Sequence, residues 1–161
     1  MFWFRFWQFG DWYDVVVDDR LPTQHRKLVF LHSNEPDEFW PALLEKAYVK
    51  FCGKQNYYSL AGGHADEALE NLTGGFTQLM NLTYSVTDEA FSTMLDAYHY
   101  DSLMVLTTDI LDNRISEMNL IPGHSYAVIS VHSVSEYYAI GCLECGGELV
   151  NSLKQILFQS A

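Results

Sequence analysis

Trp40, Leu43, Leu44, Ala47, Tyr48 and Phe51 recur at steps of three and four along "EFWPALLEKAYVKFCG", and Gly53 closes the run. That spacing lays one apolar stripe along an α-helix, so this stretch must bury a face against a neighbouring element. Ser33, Asn34, Pro36 and Asp37 supply cap chemistry ahead of it, and Asp37 and Glu38 put negative charge at the positive end of the helix dipole. Pro41 falls in or just after the first turn, where its missing N–H costs least. A second helix is expected from about Thr87 to Tyr100, with Thr87 as cap and Phe91, Met94, Leu95 and Tyr98 on one face. A short helical stretch over Asp66 to Leu72 lies between Gly62-Gly63 and Gly74-Gly75, and the second pair is the expected hinge between two subregions.

The rest of the chain alternates rather than winds. "DWYDVVVDDRLP" and "KLVFLH" read as a strand pair joined across Leu21 to Lys27. "LMVLTTDI" reads as a strand followed by an acidic loop to Leu120, and "HSYAVISVHSV" and "EYYAIGCLE" as successive antiparallel strands. The closing "GGELVNSLKQILFQ" returns to helical spacing through Leu149, Leu153, Ile156 and Leu157. A helix-rich first part and a strand-rich second part argue an α+β fold.

Charge narrows the partners. With 21 acidic and 9 basic residues, the net charge of −12 repels phosphate backbones and anionic membranes, so nucleic acid is not expected. It suits calcium or basic peptide segments. No apolar run reaches the length of a spanning helix, so no transmembrane segment is expected. The aromatic start "MFWFRFWQFG" lacks a basic leader and a small-residue cleavage site, and reads as the interior of a domain. Cys52, Cys142 and Cys145 form no obvious disulfide framework, and a reducing compartment fits them.

His124 stands between Pro122-Gly123 and the alternating run, which aims an imidazole from the start of a strand. Such a histidine does chemistry only with a thiol or hydroxyl within about 3 Å and a third group fixing its tautomer. The cysteines do not volunteer. Cys52 ends a helix, where the carbonyl end of the dipole opposes a thiolate. "CLEC", even with His132 nearby, is at best half of a zinc site. Glu38 alone cannot supply the six to eight oxygens that calcium takes.

Five strings then align in order with one family. "FRFWQFGDWYDVVVDDRLPT", "KLVFLHSNEPDEFWPALLEKAYVK", "SLAGG", "LTGG" and "PGHSYAV" resemble segments of the calpain protease core, from about Phe2 to about Val134. The resemblance implies a calcium-dependent, papain-like cysteine endopeptidase that cuts protein substrates in the cytoplasm, with a two-lobed core. Residues 1–75 would be the later part of the first lobe. Residues 76–161 would be a truncated second lobe, an antiparallel sheet with a divergent C-terminal helix. His124 matches the general base that holds the nucleophile as thiolate. Gly63 and Gly123 match glycines that approach the substrate backbone, and Glu38 matches a carboxylate of a calcium site.

The family's nucleophile lies in a Gly-Asp-Cys-Trp segment ahead of the "FRFWQFG" region, and its orienting asparagine in Asn-Pro-Trp-Gly; neither string occurs here. The expectation is a fragment of a calpain-type enzyme, inactive by itself, whose longer form could carry further calpain domains. The alternative is a truncated, non-catalytic module that binds peptide or protein partners.

Overall fold

The structure, a computed structural model, describes residues 1–82, 87–108, 120–134, 137–142 and 155–160. The chain forms two compact units, Met1–Gly74 and Gly75–Ala161. No helix among the described residues is long and apolar enough to cross a membrane.

The first unit opens with a hairpin. Strand β1 (Phe2–Gln8) pairs antiparallel with β2 (Asp11–Val17), in register from Phe2 opposite Val17 to Gln8 opposite Asp11. Phe9 and Gly10, at φ 53° and 84°, make the two-residue turn whose twist suits a hairpin. The expected partner of β2 was "KLVFLH", and that pairing does not form. "KLVFLH" gives only β4 (Lys27–Leu28), which pairs with β3 (Thr23–Gln24). The aromatic alternation of β1 offers β2 a full ladder and a continuous apolar face, whereas Pro22 lacks the N–H that a longer ladder through "RLPT" would use.

Helix α1 (Trp40–Phe51) lies on that face: Phe6, Val15, Val17 and Ala47 are buried together, with Phe4, Leu44, Tyr48 and Phe51 packed around them. Its predicted capping is absent. Phe39 holds the cap position without a side-chain bond. The Ser33 hydroxyl instead accepts from the Glu35 N–H at 3.1 Å, and Glu38 accepts from the Trp40 indole N–H at 2.7 Å. Ser33 is thus spent in the loop before the helix.

Two lysines on α1 tie down the strand beside it. Lys50 Nζ donates to the Val16 carbonyl at 2.8 Å, and Lys46 Nζ donates to Asp18 Oδ1 at 2.5 Å and the Arg20 carbonyl at 2.6 Å. The Lys46 bond, with the Arg20 N–H second, holds the Asp18 carboxyl below its ordinary pKa. A carboxyl lowered in the fold stabilises it above the unfolded value of about 3.9, and that support disappears as pH falls through the lowered folded value. Lys46→Met should therefore move the Asp18 titration up towards the ordinary carboxylate range and flatten the acid-side loss of stability, read by carboxyl NMR and urea melts.

After a 3-10 turn at Tyr57–Leu60, helix α2 (Ala65–Thr73) ends on Gly74 at φ 72°. A Cβ there would lie 2.9 Å from the Trp12 ring, so both backbone and space require glycine. Asn71, formally a glycosylation site, is buried and donates to the Tyr48 hydroxyl at 3.1 Å. It is a packing residue.

Among the described residues the second unit is a five-stranded antiparallel sheet under a helix. Strands β5 (Phe76–Asn81), β6 (Leu103–Thr107), β7 (Ser125–Val134), β8 (Tyr137–Cys142) and β9 (Gln155–Ser160) stand in the order β5-β9-β6-β7-β8. Helix α3 (Asp88–His99) is capped by Thr87, whose hydroxyl accepts from the Ala90 N–H at 3.2 Å. It buries Phe91 and Met94 against a cluster with Met104, Leu106, Tyr126, Val131 and Ile140.

β9 corrects the helical reading of the closing segment. Leu157 pairs with Leu79 of β5 on one side and Val105 of β6 on the other. A short apolar run is ambiguous by spacing alone, and here two flanking strands offer ladder bonds on both edges. The expected acidic loop falls in 109–119, and the first part of the expected helix in 146–154, both outside the described residues. Helices and antiparallel strands together make the fold α+β.

Candidate functional site

His124 is presented by a turn that its sequence dictates. The His124 N–H donates to the Ile121 carbonyl at 3.3 Å, closing a β-turn with Pro122 and Gly123 at its centre. Proline presets the first central position, and Gly123 takes φ 69° at the second, which a residue with a Cβ adopts at a cost.

Thr108, just past β6, locks the turn to the sheet. Its hydroxyl donates to the Ile121 carbonyl at 2.7 Å and accepts from the His124 N–H at 3.1 Å, while its own N–H donates to the His124 carbonyl at 3.0 Å. Thr108 is 3% exposed, so these bonds form out of water. The Tyr126 hydroxyl accepts from the Ile121 N–H at 2.9 Å, and its ring meets the imidazole edge-on at 4.7 Å. His124 is half-buried, and neither ring nitrogen has a hydrogen-bond partner among the described residues. The main chain is fixed.

Sequence reasoning missed Thr108. "LTTDI" carries no sign that its second threonine faces a turn sixteen residues away. Thr108→Val keeps the shape and removes the hydroxyl, leaving buried acceptors unmatched at about 1–3 kcal/mol. Hydrogen exchange at the His124 amide should accelerate about tenfold to a hundredfold; an unchanged rate would mean the hydroxyl does not hold the turn.

The other predicted residues lie in the first unit. Gly63, just before α2, has open space where a Cβ would stand, so its backbone is reachable. Glu38 is exposed, and hydrogen bonds from Ser33 and Trp40 keep its carboxyl below the usual pKa, hence ionised. No group of three His, Cys, Asp or Glu side chains gathers among the described residues to hold a metal. Glu38 therefore offers a cation one carboxylate, already engaged by Trp40, and the described residues do not fit a calcium site. Cys52 caps the end of α1, and burial first of all pushes its thiol pKa up, against a hydrogen bond with Tyr48. It is a poor nucleophile. The backbone of Cys142 sits in β8 opposite Val128, and Cys145 lies outside the described residues.

A pinned Pro-Gly-His turn at the head of an antiparallel sheet is a presentation suited to imidazole chemistry. The model of the calpain family cysteine proteases matches residues 1–144. The chain belongs to the calpain family. It is 45% identical over 139 residues to the calpain-1 catalytic subunit of Rattus norvegicus, an overlap covering 84% of this chain and 19% of that one. It is 41% identical over 141 residues to calpain clp-4 of Caenorhabditis elegans (85% and 19%), and 40% identical over 139 residues to the calpain-2 catalytic subunit of Gallus gallus (84% and 19%). The chain spans about a fifth of the length of these relatives.

Proposed function

We propose that these residues form the histidine-bearing part of a calpain-type cysteine endopeptidase that cleaves proteins in the cytoplasm under calcium control. The observation that carries this is the geometry at His124: a main chain pinned by Thr108 presents an imidazole whose nitrogens have no other partner among the described residues. In this reading His124 takes the thiol proton, holds the sulfur as thiolate, and returns the proton to the leaving amine. Gly123 and Gly63 let the substrate backbone approach where side chains would obstruct it. The first unit is then part of one protease lobe and the second unit part of the other. Calcium enters as a family expectation, with Glu38 as one contributing carboxylate.

The thiol is not among the three cysteines of this sequence. Cys52 has the wrong electrostatics, and neither Cys142 nor Cys145 stands in a Cys-Trp string. The test is a chimera in which residues 1–144 replace the matching region of a calpain catalytic subunit that retains its own cysteine segment. Calcium-dependent casein hydrolysis by the chimera, with none from the 161-residue chain, is the expected result. A folded chimera without turnover, or stoichiometric labelling of the short chain by an epoxide thiol probe, sinks the proposal.

A further inference from the structure

The second unit carries two adjoining depressions that the reading above does not use. They lie between the α3-facing side of β5 and the flank of the helix, of about 310 Å³ and 350 Å³, with Gln78 and Thr93 as common wall. The larger has Phe76 of β5 on one side, and Asp96 of α3 with Tyr100 just past its end on the other. Helix geometry sets that second pair, since residues four apart stand one turn above each other with about 5–6 Å between Cβ atoms. The Tyr100 N–H donates to the Asp96 carbonyl at 3.0 Å, and the Ser102 N–H to the Ala97 carbonyl at 3.0 Å. The helix end that carries carboxylate and ring is therefore closed and fixed. The smaller depression continues along the same side, with Glu89 among its lining residues.

Three features indicate what the larger depression takes. First, Phe76 and Tyr100 are 86% and 83% exposed, so most of each ring faces water. Two bare aromatic faces lining one recess attract a cation, and a planar guanidinium above others because it can stack. Secondly, Asp96 is exposed, and among the described residues no lysine, arginine or histidine forms an ion pair with it. A carboxylate accepts two parallel N–H bonds from a guanidinium fork, a geometry that an ammonium cannot fill. The net charge of −12 turns anions away and favours the same choice. Thirdly, the smaller depression offers main chain something to bond. The Gln78 amide, common to both, donates and accepts, and the Glu89 carboxylate accepts. That continuation favours an arginine within a polypeptide over a free small cation.

We propose that this recess binds the side chain of one arginine in a segment of a partner protein. The guanidinium stacks against Phe76 and Tyr100 and gives parallel N–H bonds to the Asp96 carboxylate, while the main chain beside it passes Gln78 and Glu89. β5 contributes side chains from its α3-facing side, and its main chain takes no part. The site is separate from His124 within the sheet, since β9 and β6 stand between β5 and β7.

The probe is the end-blocked peptide Gly-Gly-Arg-Gly-Gly, titrated into the 161-residue protein and followed through the backbone amide signals of Phe76, Asp96 and Tyr100. Saturable shifts at these positions are expected. Citrulline in place of the arginine keeps the shape and removes the charge, and should weaken binding at least about tenfold. Asp96→Asn should do the same from the protein side, and Tyr100→Leu should cost about threefold. Both positions are exposed, so an unaltered circular dichroism melt checks the fold of the variants. The citrulline comparison uses the unaltered protein and decides the matter even where a variant folds poorly. Ethylguanidinium, the bare head group, should bind at least about tenfold more weakly than the peptide. Equal binding of the citrulline peptide, undiminished binding to Asp96→Asn, or no binding at all would overturn the proposal. So would shifts scattered over the acidic residues of both units, the mark of diffuse charge attraction. Ethylguanidinium binding as tightly as the peptide would make this a site for free small cations, and would overturn it as well.

Discussion

His124→Ala lowers peptide hydrolysis by the chimera about a million-fold, the loss expected when either member of a nucleophile–base pair is removed from a hydrolase. The structure makes this a clean experiment. Thr108 holds residue 124 through its main-chain N–H and carbonyl, which alanine retains, so the turn should survive. The forfeited contact is the edge-on packing with Tyr126, worth about 0.5–1.5 kcal/mol. Rate and stability should therefore separate: turnover collapses while the unfolding midpoint moves little. An asparagine at the same position, able to hydrogen-bond but not to carry a proton at neutral pH, should be as inactive as alanine. Retention of more than about a hundredth of the parent rate by either variant would place the base elsewhere.

Phe6→Ala should be the most damaging single change in the first unit. Phe6 is fully buried, its ring stacked on Phe51 at 4.8 Å and tilted against Tyr48 at 5.5 Å. It joins the hairpin to α1 in a core cluster with Val15, Val17 and Ala47. Truncating a buried phenylalanine costs about 3–5 kcal/mol, a large share of the 5–15 kcal/mol that holds a typical domain together. Urea titration followed by tryptophan fluorescence should show the transition shifted to low denaturant or lost, since Trp7 and Trp12 lie on the same hairpin. Trp3→Ala is the control: at 68% exposure its loss should stay within about 0.5 kcal/mol. Comparable damage from both variants would mean the core is not where the packing puts it.

What could be read ahead of the structure follows physical lines. α1 and α3 were legible because apolar spacing over three turns has one low-energy solution, and Thr87 caps because a hydroxyl there meets the Ala90 N–H. β7 and β8 were legible from alternation and proximity. The β1–β2 hairpin was hidden because its turn uses Phe9 at positive φ, where asparagine or glycine would have signalled it. β5 was hidden by its mixture of polar and apolar residues, and β9 because its run fits either period until two distant strands choose between them. At the candidate site, Pro122-Gly123-His124 announced a presented imidazole. The hydroxyl that fixes it could not be found, since nothing local links Thr108 to a turn beyond the intervening loop.

The position of β9 has a consequence for how the protein is made. Asn81 and Gln155 pair across about seventy residues of chain, and β9, to which Gln155 belongs, fills an interior place in the sheet, between β5 and β6. On a ribosome, β5 emerges first and must wait without its sheet partner until Gln155–Ser160 has been synthesised. Non-local pairing of this kind is slow, and the nascent second unit should depend on chaperones for as long as the place between β5 and β6 stays empty.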